Sequence, residues 1–239
     1  MRTQFVGGLL SAVLVACGGT DGPTPVPSEP VASALAEERP LLSCGTQSFD
    51  ASMLLGAGLP PDGHPASDAL ATVLAKGGPE GLDRLPGTGW MLVAATPLRA
   101  DFMAAVDDGW AFASFVEGSS GWVPDAWGPC SPEVIVPGLN LAEWALDPDE
   151  PRPEPEATRF TALVTERACA SGRPVGDRLR PPKIRFTESR IVVLFTVVPQ
   201  QGGQDCPGNP SSRVFVDLPE PLGLRQLYDG SVFPYEPEL

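Results

Sequence analysis

Ile191-Val192-Val193-Leu194-Phe195-Thr196-Val197-Val198 is an unbroken run of apolar and β-branched side chains. Branching at Cβ stiffens a side chain and suits it to a pleated surface. A run with no polar alternation has no face to offer water, so it reads as a central strand buried on both sides. The chain around it must therefore supply β neighbours. Phe160–Thr165, Ile184–Thr187, Arg213–Leu218 and Leu224–Leu227 fit that role, with a long Gly-rich loop over Gln200–Ser212. Residues 159–239 are predicted to form a mainly β, sandwich-like unit.

Upstream, prolines at 148, 151, 153 and 155 alternate with acidic residues across 147–158. Central strands and helices exclude that density of proline, so the segment is a connector, either between two units or as a long edge within one. Residues 41–146 read as the first unit. Apolar residues at 66, 69, 70, 73 and 74 mark one face of a helix over Pro65–Lys76, with proline at its first position and Gly77-Gly78 as its stop. Trp90–Ala95, Ala100–Ala105, Trp110–Val116 and Gly121–Trp127 follow with the rhythm of an antiparallel meander, though the alanines of Ala100–Val106 also fit a helix, and Val134–Val136 and Leu139–Leu146 add strands. The fold class expected is α+β, a helix-on-antiparallel-sheet unit followed by the sandwich-like unit.

At the N-terminus, Arg2 precedes an apolar run from Phe5 to Ala16. The run falls short of the roughly 20 residues a membrane-spanning helix needs and has the form of a signal peptide over 1–16. Leu14-Val15-Ala16-Cys17, followed by Gly18-Gly19, resembles the lipobox of bacterial lipoproteins. The resemblance implies acyl chains, palmitate among them, on Cys17 as the first residue of the mature chain, and a protein held on the outer face of a membrane. Two or three chains anchor stably where one does not. Residues 17–40 then read as the lipidated cysteine and a Pro/Gly-rich tether with too little apolar surface to fold. The segments Glu166–Gly172 and Gly202–Pro210 resemble parts of uncharacterised exported proteins of high-GC bacteria, which implies an exported setting and no particular activity.

Five cysteines leave four once Cys17 is lipidated: Cys44, Cys130, Cys169 and Cys206. In an exported chain an even remainder suggests two disulfides, with three pairings open. Division at the connector favours Cys44 with Cys130 and Cys169 with Cys206. No C-x-x-C occurs and the lone His64 is distant in sequence, so no metal is expected.

The formal charge of −14 excludes nucleic acid and other polyanions as general electrostatic partners unless a local basic face exists. Arg178, Arg180, Lys183 and Arg185 fall close together and could form such a patch, but read first as a solvated strand face. With a single histidine, and no nucleophile elbow, Walker loop or dinucleotide fingerprint, the sequence names no catalytic residue and no cofactor. Asp147, Asp149 and Glu150 lack the spacing of a calcium loop.

Trp90, Trp110 and Trp122 each follow a glycine and are the candidate ligand-binding residues, able to stack on sugars or anchor a partner if exposed. Otherwise, with Trp127 and Trp144, they fill a core. The leading functional expectation is a non-enzymatic envelope module, membrane-attached through lipid on Cys17, that binds an envelope protein or a cell-wall glycan. The alternative is a hydrolase of cell-wall polymers using acidic residues, which requires two carboxylates about 5–9.5 Å apart across a cleft.

Overall fold

The computed structural model describes residues 40–44, 47–54, 63–107 and 109–237. The segments expected to be a signal peptide and a tether, with Cys17, lie before Pro40 and outside the described residues.

The described chain runs through fourteen strands and one α-helix. It opens with β1 (Leu41–Ser43) and β2 (Ser48–Asp50), then α1 (Pro65–Lys76). A meander of β3 (Trp90–Thr96), β4 (Arg99–Val106), β5 (Gly109–Gly118) and β6 (Gly121–Cys130) follows. After β7 (Glu133–Val134) come β8 (Asn140–Leu146), β9 (Arg159–Glu166), β10 (Lys183–Phe186) and β11 (Arg190–Val197). β12 (Ser212–Asp217), β13 (Gln226–Asp229) and β14 (Glu236–Pro237) complete it.

His64 caps α1 by accepting the Ala66 N–H on Nδ1 at 3.2 Å, and Gly77 with φ +77° ends it where a side chain would be strained. The helix buries Ala66 and Leu70 among Trp90, Leu92, Phe102 and Phe115. The opposite face of the meander meets the small sheet, ordered β2-β1-β7, through Leu42, Phe49, Met103 and Phe112.

The third sheet has seven strands, ordered β12-β9-β8-β11-β13-β14, with β10 on the other edge of β11. β11 is its junction. Phe195–Val197 pair antiparallel with β8, Arg190–Val193 pair parallel with β13, and Ile191–Leu194 pair antiparallel with β10. The side chains of Ile191, Val192, Val193, Phe195, Thr196 and Val197 are all buried, as the unbroken apolar run requires. Trp144, Phe160 and Phe195 stack beneath, and Trp144 Nε1 donates to the Val193 carbonyl at 3.0 Å.

The expected α+β class is overturned. The described residues are mostly β, 45% strand against 11% helical, with several antiparallel sheets that include a half-barrel. One twelve-residue helix does not make a helix layer, and the C-terminal strands do not divide into the two facing sheets of a sandwich. β8, grouped by sequence with the meander, pairs instead with β9 and β11. The proline-acidic segment is thereby the loop joining two neighbouring strands, and residues 39–239 form one compact unit.

Cys44 is bonded to Cys130, with Cα atoms 5.9 Å apart, and Cys169 to Cys206, with Cα atoms 4.7 Å apart. Among the described residues no helix is long and apolar enough to cross a membrane.

Candidate binding face

Around the buried Val192 and beside Leu194, which packs against the small-sheet cluster, β10, β11, β13 and β14 carry a group of cationic and tyrosine side chains on the side away from the main core. Side chains alternate between faces along a strand, and the registers fix which ones share a side. Lys183 lies opposite Leu194, Arg185 opposite Val192, Arg190 beside Gln226, Val192 beside Tyr228, and Tyr228 opposite Pro237. Tyr235 falls two residues from Pro237. The alternate set, Ile184, Phe186, Ile191, Val193 and Leu227, faces the core.

Two guanidiniums on this outer face lie against tyrosine rings: Arg185 over Tyr235 at 5.1 Å and Arg190 over Tyr228 at 5.4 Å from the ring centroids. The Tyr228 hydroxyl donates to Gln226 Oε1 at 3.0 Å. A guanidinium over a ring is attracted by the ring's negative face, and its N–H fork is of the kind that grips a carboxylate or phosphate. Among the described residues every ion pair draws its cation from Arg99, Arg159, Arg167, Arg178, Arg213 or Arg225. Arg180, Lys183, Arg185 and Arg190 enter none, although the chain has 30 acidic residues to offer.

The cationic run seen in the sequence is thus divided. Arg178 turns inward, donating from Nη2 to Glu166 Oε2 at 2.6 Å, while Lys183 and Arg185 stay on the outer face. Arg190, Tyr228 and Tyr235, which complete that face, went unnoticed in the sequence. Only the pairing of β11 with β10 and β13 brings them together, and no local pattern announces it.

The other sequence candidates fall elsewhere. Trp90 is buried beside α1, its Nε1 donating to the Pro86 carbonyl at 2.7 Å. Trp110 packs against the cluster of the small sheet. Trp122 meets the ring of His64 edge-on at 5.2 Å, and Trp127 Nε1 donates to the Glu80 carbonyl at 3.3 Å. His64 is occupied in capping α1.

Asp147 is buried and paired with Arg213 at 2.7 Å, while Asp149 and Glu150 reach the same guanidinium at 3.6 Å. Asp147 and Glu150, with Glu154 and Glu156, line an open groove of about 590 Å³ between the connector and β9 that Phe215 also lines. Among the described residues Glu166, Asp101 and Asp229 are also buried carboxyls. Desolvation raises Asp101 above the usual carboxylate range, against the opposing pull of Ser114, Gln47 and Arg99, with Asp125 adding to the rise. Burial likewise raises Asp229, opposed by hydrogen bonds from Ser231 and by Arg167, with Glu143 adding to the rise. Each of these two aspartates is engaged by a serine: Ser114 Oγ donates to Asp101 at 2.6 Å and Ser231 Oγ to Asp229 at 2.8 Å. Among the described residues no three His, Cys, Asp or Glu side chains converge as a metal site requires.

The chain matches no protein-family model, no curated protein and no solved structure with which it was compared.

Proposed function

We propose that this chain is a lipid-anchored, extracytoplasmic binding module of the cell envelope, and that its Arg/Tyr face takes a carboxylate- or phosphate-bearing wall glycan. The carrying observation is that Arg185 and Arg190 lie over the rings of Tyr235 and Tyr228 at cation–π distance, with no acidic partner among the described residues, on a chain of net charge −14. The two disulfides point to an oxidising compartment outside the cytoplasm. Leu14-Val15-Ala16-Cys17 supports lipid attachment there.

The negative charge elsewhere repels a polyanion at long range, so attraction is confined to the face and depends strongly on salt. Calorimetric titration of the full chain with a purified acidic wall polysaccharide, and with a neutral glucan as reference, tests the reading. Binding of the acidic polymer alone is expected. Losing one charged hydrogen bond costs roughly 1.5–3 kcal/mol, so Arg185→Gln with Arg190→Gln should weaken binding by about tenfold or more. Equal affinity of the double variant and the parent chain would sink the proposal. Mass spectrometry of the mature N-terminal peptide tests the anchor separately, through the presence or absence of acyl groups on Cys17.

A further inference from the structure

β12 is an outermost strand of the seven-stranded sheet, paired among the described residues only with β9. Its hydrogen-bonding phase can be read directly. Leu218 N–H donates to the Thr158 carbonyl at 2.8 Å, and these two residues continue the register that sets Val216 against Phe160 and Val214 against Ala162. In an antiparallel pair, alternate residues turn their N–H and C=O toward the partner strand. Ser212, Val214 and Val216 therefore bond to β9, and Arg213, Phe215 and Asp217 point their backbone groups away, toward the open edge. The side chains of those same three residues lie on the outer face, since Val214 and Val216 pack inward. Phe215 is 67% exposed, unusual for a large apolar side chain on a regular strand.

We propose that the occupant of this edge is β12 of a second copy, paired antiparallel about a twofold axis through Phe215. In this register Phe215 faces Phe215 of the second copy, Arg213 faces its Asp217, and Asp217 faces its Arg213. All three outward-pointing residues then find backbone partners, both charges face opposite charges, and the exposed rings cover each other. Neighbouring registers do worse. Shifting by one pair in either direction sets Phe215 against Arg213 or against Asp217, and sets Asp217 against Ser211 or Arg213 against Pro219, so no charge faces its opposite. Each charge would extend an existing ion pair, since Asp217 already meets Arg159 and Arg213 already meets Asp147, Asp149 and Glu150, and the two side chains remain 69% and 48% exposed. A single strand pair covers less than the roughly 800 Å² per partner of a standard interface, so the dimer is weak and concentration-dependent in solution.

The test uses the full exported chain with its disulfides intact, carrying Phe215→Cys, treated with bismaleimidoethane over a range of concentrations. Leu224→Cys, at a residue 95% exposed, gives the collisional background. Cross-linked dimer well above that background is expected for Phe215→Cys. A yield no greater than that of Leu224→Cys overturns the proposal.

The register is tested by charge reversal in the Phe215→Cys chain. Asp217→Arg sets arginine against arginine and should return cross-linking to background. Mixing it with chains carrying Arg213→Asp should restore a mixed dimer. Because Arg213 also holds Asp147, retention of the native unfolding transition is checked first. If that variant does not fold, Asp217→Arg alone decides, since unchanged cross-linking would contradict the register.

Discussion

Glu166, its side chain wholly buried, is gripped by Arg178 Nη2 at 2.6 Å and by Asn140 Nδ2 at 2.8 Å. Breaking a buried ion pair from one side leaves an unpaired charge in a low-dielectric site, at about 3–5 kcal/mol. Arg178→Ala should lower the stability measured by denaturant unfolding by that amount. Replacing both partners with apolar residues of similar volume should cost much less. If both changes cost the same, the pair is not the source of the loss.

Asp229 carries a pH signature of known sign. Its carboxyl is raised above 3.8 in the fold, mainly by burial, so the folded state holds that proton more tightly than the unfolded chain does. Stability from this group is full below 3.8 and falls as the pH rises through the raised folded value. Asp229→Asn keeps an acceptor for the Ser231 N–H and a donor for its Oγ. Its thermal midpoint should exceed that of the parent at pH 7, and the difference should vanish just below 3.8. Asp101, raised for the same leading reason, adds to the slope of the parent chain.

Gly230 lies where β11 leaves no room for a side chain. A Cβ there would stand 2.9 Å from Val192 Cγ1 and 3.2 Å from Leu194 Cβ. Gly230→Ala is expected to cost about 1–3 kcal/mol through overpacking. Val192→Ala removes the nearest of those atoms, so the double variant should lose less than the sum of the two single changes.

The disulfides close long loops, with sequence separations of 86 for Cys44–Cys130 and 37 for Cys169–Cys206. On the chain-entropy account each contributes about 4 kcal/mol, slightly more for the longer loop. Paired Cys→Ser variants measured by guanidinium unfolding should follow that order. The reverse order would point to native-state effects outweighing loop closure.

What could be read in the sequence was what repeats locally. The periodicity over Pro65–Lys76 gave the helix with its observed ends, and turn glycines marked out the meander strands to within a few residues. The apolar run at Ile191–Val198 announced the buried junction strand. Strand partners were not legible, because pairing is set by contacts distant in sequence. Leu139–Leu146 shows no preference for the sheet it joins, and the parallel pairing of β11 with β13 leaves no mark in either segment. The sandwich expectation failed there: strands read near their observed bounds were assembled into the wrong sheets, and β1, β2 and β14 were not read at all. The binding face was hidden for the same reason, since Arg190, Tyr228 and Tyr235 come together only through those pairings.

The placement of Cys44 governs how the fold responds to force. Tension applied from the N-terminal side enters the described chain at Pro40 and passes along β1, whose hydrogen bonds to β2 and β7 are few. Immediately beyond β1 it meets the covalent link to Cys130 at the end of β6. The load is handed to the four-stranded meander before it can peel the chain further, so the slack that pulling can release ends at Cys44 while that bond holds.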